Sequence, residues 1–146
     1  MKVKVFLFLM ISMIIVSCTQ QKRSWVEGAW KLVYQTSTVK DTLILIFPGK
    51  YTGSDIKIWS KEYVLYVGQF KSDTTIINGY GGGPYKLEGN RYEENIQFFS
   101  VPSEIGKTVK MLLEIKHDTL IQTWPLGDNG QIDKSNFRQQ KYVRLD

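Results

Sequence analysis

Cysteine and histidine are almost missing from this chain, which has 146 residues, one cysteine and one histidine. A lone cysteine, Cys18, excludes an intramolecular disulfide and a Cys-based metal site. The single histidine, His117, lies in Lys116-His-Asp-Thr119, a sequence that predicts a solvent-exposed hairpin turn. Neither an HExxH nor a CxxC motif is present, so the sequence predicts no metal, no cofactor and no enzymatic activity.

Charge is modest and evenly spread. The chain carries 19 lysines and arginines against 14 aspartates and glutamates, a formal net charge of +5. Two of the lysines, Lys2 and Lys4, belong to an N-terminal segment with its own pattern, and Lys22-Arg23 is the only other local basic cluster. Nucleic-acid binding calls for a basic stripe with interleaved aromatic residues, so no nucleic-acid partner is predicted.

The longest apolar run covers Val5 to Val16 and follows Lys2 and Lys4. It is shorter than the roughly 20 residues of a transmembrane helix but suits the apolar region of a secretory signal peptide. The run ends in Ile15-Val-Ser-Cys18, which resembles the bacterial lipobox, whose cysteine is diacylated and becomes the mature N-terminus. The resemblance implies a lipoprotein signal peptide at residues 1–17 and a palmitate-type anchor on Cys18 that holds the protein to the lipid bilayer.

Two alternatives to lipidation remain open. A plain signal peptide cut after Ser17 would leave a free thiol, and an uncleaved anchor would need a longer apolar run. With lipidation, residues 18–24 form a polar, lipidated tether that holds the domain off the membrane. Thr19 stands where some bacteria place the aspartate that retains lipoproteins in the inner membrane, so the resemblance favours the outer membrane of a bacterial cell envelope.

From Trp25 onwards, short runs rich in β-branched and aromatic residues alternate with turn residues about every ten positions. This pattern is typical of an antiparallel β-sandwich or barrel. The sequence therefore predicts one all-β domain at residues 25–146, with eight or nine strands connected mostly up and down. The predicted strand segments are Trp30–Thr36, Asp41–Phe47, Ile56–Ser60, Glu62–Phe70, Thr75–Asn78, Tyr80–Leu87, Arg91–Phe99, Lys107–Lys116, Thr119–Trp124 and Arg138–Leu145.

Turn chemistry marks the connections between these segments. These connections contain residues that tolerate positive φ or whose side chains hydrogen-bond to their own backbone. They are Pro48-Gly49, Glu88-Gly-Asn90, His117-Asp118 and Gly127-Asp-Asn-Gly130. Val101 to Gly106 predicts a short helical turn that caps one mouth of the barrel. The glycine-rich Gly79 to Pro84 precedes a strand instead of a helix, so it predicts a rim loop or bulge and not a phosphate site.

Glu94 interrupts an apolar face. In the segment from Arg91 to Phe98, alternation places Tyr92, Glu94, Ile96 and Phe98 on one side of a strand. A carboxylate on an inward face needs a hydrogen-bond donor or must become neutral. Glu94 is therefore a candidate for orienting a ligand, with a structural hydrogen bond across the barrel as the alternative.

Five sequence elements, found in a particular order along the chain, suggest a family. Gly28-Ala-Trp30 with Arg144 resembles the lipocalin or calycin arrangement, in which an arginine of the last strand covers a G-x-W tryptophan. The stretch Gly81-Gly-Gly-Pro-Tyr-Lys-Leu-Glu-Gly-Asn-Arg-Tyr-Glu-Glu-Asn-Ile-Gln-Phe98, then Gly106-Lys-Thr-Val109 and Tyr142-Val-Arg144, resembles small bacterial lipocalin-like lipoproteins of uncharacterised function. The resemblance implies an up-and-down lipocalin-like barrel in which Trp30 and Arg144 are structural. The aliphatic hairpin from Val39 to Tyr51 departs from it and is expected to cover a barrel end or alter its mouth.

The aromatic content favours a ligand cavity, although ordinary core filling also explains it. The chain has seven Phe, eight Tyr and four Trp, and an eight-stranded barrel can hold one small ligand. The leading hypothesis is a membrane-anchored protein that binds a small, mainly apolar molecule in the barrel. The alternatives are an envelope interaction or inhibitor module with a packed core, and a cofactor-independent enzyme using Glu94. The candidate ligand-binding residues are Trp59, Tyr66, Tyr80, Tyr92, Glu94 and Trp124.

Overall fold

The computed structural model describes residues 24–146, which are mostly β-structure. A 3₁₀ turn at Pro102–Glu104 separates the seventh and eighth of ten strands. The strands are β1 (Gly28–Val39), β2 (Thr42–Phe47), β3 (Thr52–Trp59), β4 (Tyr63–Ser72), β5 (Thr75–Glu88), β6 (Arg91–Asn95), β7 (Phe98–Phe99), β8 (Thr108–Lys116), β9 (Thr119–Trp124) and β10 (Asn136–Arg144).

Eight of these strands close into one antiparallel barrel. Around the wall the order is β1, β3, β4, β5, β6, β8, β9 and β10, and β10 pairs back with β1. The short β7 pairs with β5, while β2 pairs with the second half of β1. Apart from the added strands β2 and β7, strands adjacent in the wall follow one another along the chain, so the predicted all-β, up-and-down barrel is confirmed.

A packed core fills one end of the barrel. We call this the lower end; it holds the start of β1 and the end of β10. Inward-facing side chains of successive strands meet there because alternate residues of a strand point to the same side. The core residues at this end are fully buried and include Val26, Trp30, Leu32, Trp59, Val64, Leu113 and Leu120.

Trp30 and Arg144 are in contact at the lower end. The guanidinium carbon of Arg144 lies 4.2 Å from the centroid of the Trp30 ring, within range of a cation–π interaction. Arg144 also donates hydrogen bonds to the backbone carbonyls of Trp25 and Glu27, at 3.0 and 2.9 Å. The indole Nε1 of Trp30 donates to the carbonyl of Val26 at 2.9 Å. The segment before β1 is thereby fixed across the barrel base.

Two strand predictions differ from the structure. The predicted break at Gly79 is absent, and β5 pairs with β4 without interruption from Thr75 to Pro84. The rim loop predicted at Gly79 to Pro84 is therefore absent, and the predicted alternative, a bulge, occurs on the facing strand, with one extra residue between Glu94 and Phe98. A Cβ atom on Gly81 would lie 2.5 Å from the Tyr66 hydroxyl and 2.5 Å from the Phe99 ring. Glycine is kept inside this strand because neighbouring aromatic rings fill the space of its side chain.

The segment predicted as one strand from Arg91 to Phe99 is two strands. Ile96 and Gln97 separate β6 from β7, and their amides bond to different neighbours: Ile96 to the carbonyl of Lys107, Gln97 to the carbonyl of Gly82. Both β6 and β7 pair with β5, but the register shifts by one residue between them: Glu94 lies opposite Tyr85, and Phe98 lies opposite Gly82. The extra residue turns Phe99 inward and Phe98 outward, where Phe98 is 42% exposed.

The aliphatic hairpin from Val39 to Tyr51 lies at the upper end, opposite the Trp30 base. Its strand β2 extends the sheet beyond β1, and Phe47 packs edge-to-face on Phe70 of β4 at 5.9 Å. Ile46, Phe47, Tyr51 and Phe70 border an apolar groove of about 220 Å³. The hairpin therefore shapes the upper rim of the barrel.

The predicted signal peptide at residues 1–17, the acyl acceptor Cys18 and all of the tether except Ser24 lie outside the described residues. Within residues 24–146, no helix has the length and apolar character needed to cross a bilayer.

Candidate ligand-binding cavity

A cavity of about 300 Å³ occupies the upper half of the barrel, above the packed core. Its walls are inward-facing side chains of six barrel strands, with Phe99 of β7 and Glu104 of the 3₁₀ turn. Arg138 is exposed at the point where the cavity reaches the surface. The lining residues are Asp55, Lys57, Tyr66, Glu94, Ile96, Phe99, Glu104, Val109, Met111, Gln122, Trp124, Arg138, Gln140 and Tyr142.

One side of the cavity is apolar. The side chains that form it are Ile96 between β6 and β7, Phe99 of β7, Val109 and Met111 of β8, and Trp124 of β9, which come from neighbouring parts of the wall. They form a continuous surface of aliphatic and aromatic groups that can bury the apolar part of a ligand.

A buried ion pair forms the floor of the cavity. The Lys57 ammonium lies 3.5 Å from Oε2 of Glu94, and the two side chains are 5% and 2% exposed. Lys57 also donates to Oε1 of Gln122 at 3.1 Å. Buried charges of this kind persist when each is paired and hydrogen-bonded. We call Lys57, Glu94 and Gln122 the polar floor.

Three aromatic rings surround the Lys57 ammonium. Its nitrogen lies 5.0 Å from the ring centroids of Trp59 and Tyr66 and 6.0 Å from that of Tyr92. The faces of such rings attract a cation. This arrangement adds to the stabilisation of a positive charge that the barrel has removed from water.

Hydroxyl groups complete the contacts of Glu94. Tyr92 donates to Oε2 of Glu94 at 3.1 Å and accepts from Nε1 of Trp59 at 3.2 Å. Burial, followed by the negative charge of Glu94, raises the pKa of both Tyr66 and Tyr92 well above the usual range. Both hydroxyls therefore remain protonated near neutral pH, and Tyr92 acts as a permanent donor.

A chain of glutamines links the polar floor to the wall. Gln122 donates to Oε1 of Gln140 at 3.4 Å, and Gln140 donates in turn to Oε1 of Gln35 at 3.1 Å. Tyr142 also donates to Gln140, at 2.8 Å. Because each amide is held by a neighbour, the floor presents a fixed pattern of donors and acceptors to the cavity.

Asp55 differs from the other polar groups of the cavity. Its Oδ1 atom is enclosed and has no hydrogen-bond partner among residues 24–146. Burial raises the pKa of Asp55 to about 6, although the nearby Lys57 acts in the opposite direction. The paired position on β4 is Gly68, where a Cβ would lie 2.4 Å from the Cβ of Asp55. Gly68 thus leaves room for the aspartate.

The structure brings together three of the six predicted ligand-binding residues. Tyr66, Glu94 and Trp124 line the cavity. Trp59 and Tyr92 lie just beneath it, buried in the core and in contact with the polar floor. Tyr80 does not line the cavity: it is 53% exposed on the outer wall, because the adjacent Gly81 takes the inward position opposite Tyr66.

Sequence reasoning missed Asp55, Lys57 and the two glutamines. Isoleucine is usually buried and lysine exposed, so the pattern Ile56-Lys57-Ile58 does not by itself indicate an inward-facing lysine. The signal that could have found Lys57 is its position two residues before Trp59, on the same face of β3. Likewise, Gln122 lies between the inward-facing Leu120 and Trp124 on β9.

Comparison of the chain with models of protein families, with curated proteins and with solved structures found no match. The closed eight-stranded antiparallel barrel fits a calycin-like fold. Function therefore has to be argued from the cavity itself.

We expect Asp55→Asn to stabilise the protein above about pH 6. Because the folded-state pKa is raised from 3.8 to about 6, the folded state binds the proton more tightly, and stability falls as pH rises between these values. At about 1.4 kcal/mol per pKa unit, the loss is at most about 3 kcal/mol. Urea unfolding at about pH 4 and pH 8 measures it: the variant should gain stability only at the higher pH.

Asp133→Asn is the control for this prediction. Hydrogen bonds from Ser135 lower the pKa of the exposed Asp133, so its replacement should leave the protein no more stable at either pH. Equal effects of the two substitutions at pH 8 would rule out burial of Asp55 as the cause.

Proposed function

We propose that this protein is a lipid-anchored, lipocalin-like binding protein of the bacterial cell envelope that holds one small, mainly apolar molecule in its barrel. The observation that carries the proposal is the cavity of about 300 Å³, which has an apolar wall and a fixed polar floor. That volume is at the lower end of the range for ligand pockets, so it suits a small molecule.

The contacts of Glu94 assign it a structural role within this proposal. The enzymatic hypothesis requires a buried Glu94 beside a second titratable group, and Lys57 and Tyr92 are such groups. However, both already contact the same carboxylate oxygen, Oε2. These contacts stabilise the floor on which a ligand rests, and we propose no catalytic step.

Ligand binding is tested with two valine-to-phenylalanine substitutions, one on the inner side of the barrel wall and one on its outer side. Val109→Phe adds bulk inside the cavity, whereas Val33→Phe adds the same bulk on the outer face of β1. Native mass spectrometry of protein purified from its own membranes should detect a bound small molecule in the unchanged protein and in Val33→Phe. Val109→Phe should have lost it. Retention of the same molecule by all three would place binding outside the barrel.

Membrane attachment through Cys18 makes a separate prediction. Cys18→Ser removes the acyl acceptor, so the protein should leave the membrane fraction, and the mass of its N-terminal peptide should show no lipid. Each buried acyl CH₂ contributes about 0.8 kcal/mol, which makes two or three chains a lasting anchor. Ser17→Ala, which keeps a small residue before the cysteine, is the control and should stay attached. Attachment that survives Cys18→Ser after removal of residues 1–17 would contradict the lipobox interpretation.

A second candidate, an interaction module, is favoured by one observation on the outer wall. Side chains of β3, β4, β5 and β7 lie next to one another in register there, and each is between 37% and 62% exposed. Patches of exposed apolar residues often mark contacts with other proteins. The residues are Ile56, Ile58, Leu65, Val67, Tyr80 and Phe98.

Site-specific photo-crosslinking tests the second candidate. A crosslinker at Val67, in the middle of this outer face, should capture one discrete envelope protein, and Leu65→Lys should abolish the capture. A crosslinker at Ile115, an exposed apolar position of β8 away from this face, is the control. Equal capture at both positions would indicate non-specific contact.

A further inference from the structure

The enclosed part of the cavity carries an uncompensated negative charge. Asp55 and Glu94 are its two carboxylates, and Lys57 is its one ammonium. At the mouth, by contrast, Glu104 is paired with Lys107 at 2.9 Å and Arg138 is exposed to solvent. Inside a chain of formal net charge +5, the cavity thus has a deficit of one positive charge.

This deficit is located at Asp55. Lys57 and Tyr92 both contact Glu94, whereas Oδ1 of Asp55 has no hydrogen-bond partner among the described residues. A buried acceptor without a donor is unfavourable by roughly 1–3 kcal/mol and more when it is charged. The carboxyl group of aspartate can rotate about χ2, so either oxygen can be turned towards the cavity that Asp55 borders.

The surroundings of Asp55 distinguish between possible cations. A divalent metal ion needs several oxygen ligands, and within residues 24–146 no three His, Cys, Asp or Glu side chains come together to hold one. Apart from Gln122 and Gln140, the remaining uncharged lining is aromatic or aliphatic and includes Tyr66, Phe99 and Trp124. Aromatic faces attract organic ammonium groups, and the aliphatic wall can bury an attached hydrocarbon.

We propose that the cavity binds a small primary amine, with the ammonium group on Asp55 and the apolar body against Ile96, Phe99, Val109, Met111 and Trp124. This inference rests on the proposed function, because it names the chemical class of the ligand for the same cavity. The ammonium supplies the donors that Asp55 lacks and neutralises the remaining charge of the enclosed site.

Three probes of similar size and shape test this inference. 2-Phenylethylamine carries a positive charge, 2-phenylethanol is neutral and phenylacetate is negative at neutral pH. Equilibrium dialysis of each probe against the purified full-length protein in detergent, with protein-free micelles as the blank, gives the dissociation constants. The amine should bind at least about tenfold more tightly than the alcohol, a difference of about 1.4 kcal/mol, and phenylacetate should bind most weakly.

Asp55→Asn provides the matched variant, since it removes the charge and keeps the shape. It should weaken binding of the amine at least about tenfold and leave binding of the alcohol within about twofold. Asp133→Asn, at an exposed aspartate away from the cavity, should change neither. Urea unfolding of each variant shows that the comparison is made on folded protein.

The outcomes separate this inference from the proposed function. The inference is wrong if the amine binds no more tightly than the alcohol, or if Asp55→Asn does not weaken its binding. In either case, binding of the alcohol would still support the cavity as a ligand site. If none of the three probes binds and native mass spectrometry finds no retained molecule, both proposals are wrong.

Discussion

Replacing Lys57 with methionine should lower the free energy of unfolding by about 3 to 5 kcal/mol at neutral pH. Methionine keeps much of the side-chain volume but removes the ammonium group that contacts Glu94 and Gln122. Glu94 would remain as a buried carboxylate that accepts from the Tyr92 hydroxyl but has lost its cation. Urea unfolding of Lys57→Met beside the unchanged protein measures the loss.

A second substitution identifies the cause of this instability. Glu94→Gln removes the buried charge that Lys57→Met leaves without its ammonium partner. The double variant Lys57→Met/Glu94→Gln should recover much of the loss, because the amide can still accept from Tyr92. A loss that the second substitution does not reduce would indicate lost packing instead.

Trp30→Ala should also destabilise the protein by about 3 to 5 kcal/mol, because it leaves a large void in a packed core. The indole is 1% exposed, and its replacement removes both the hydrogen bond to Val26 and the contact with the Arg144 guanidinium. Thermal and urea unfolding measure the loss. The molecules that remain folded should keep the binding affinity of the unchanged protein, since Trp30 is absent from the cavity lining.

Trp25→Ala is the matched control at the same end of the barrel. Trp25 is 39% exposed and contacts Arg144 through its backbone carbonyl, which the substitution retains. Trp25→Ala should therefore lower the free energy of unfolding by no more than about 1 kcal/mol. Similar losses for the two tryptophans would show that Trp30 contributes no special stabilisation to the base.

The barrel could be predicted from the sequence because strand alternation and turn residues are local signals. β9 was predicted with the bounds that it has in the structure, and Glu94 could be placed on an inward face because Tyr92 and Ile96 flank it on the same side. Both inferences depend only on residues a few positions apart. Local patterning was therefore enough to predict the fold and one member of the polar floor.

The rest of the floor could not be predicted, since it depends on pairing between distant segments. Lys57 is turned inward while Ile56 and Ile58 are 37% and 47% exposed, the reverse of the usual preference. What stabilises the inverted arrangement is Glu94, on a strand three places away around the wall. The inward placement of Tyr80 is wrong for a related reason: both faces of β4, which pairs with the strand of Tyr80, are apolar, so alternation does not show which side chains of the two strands point inward.

The closing ladder between β1 and β10 has a consequence for how the chain acquires its structure. Trp30 pairs with Arg144 and Val39 with Asn136, so one edge of the first strand is hydrogen-bonded only when the last strand is in place. Contacts between such distant segments slow folding, because a long loop must be closed before they form. A chain that emerges N-terminus first, from a ribosome or through a membrane pore, remains an open sheet until β10 follows. The arrival of the last strand therefore determines when the interior is sealed from water.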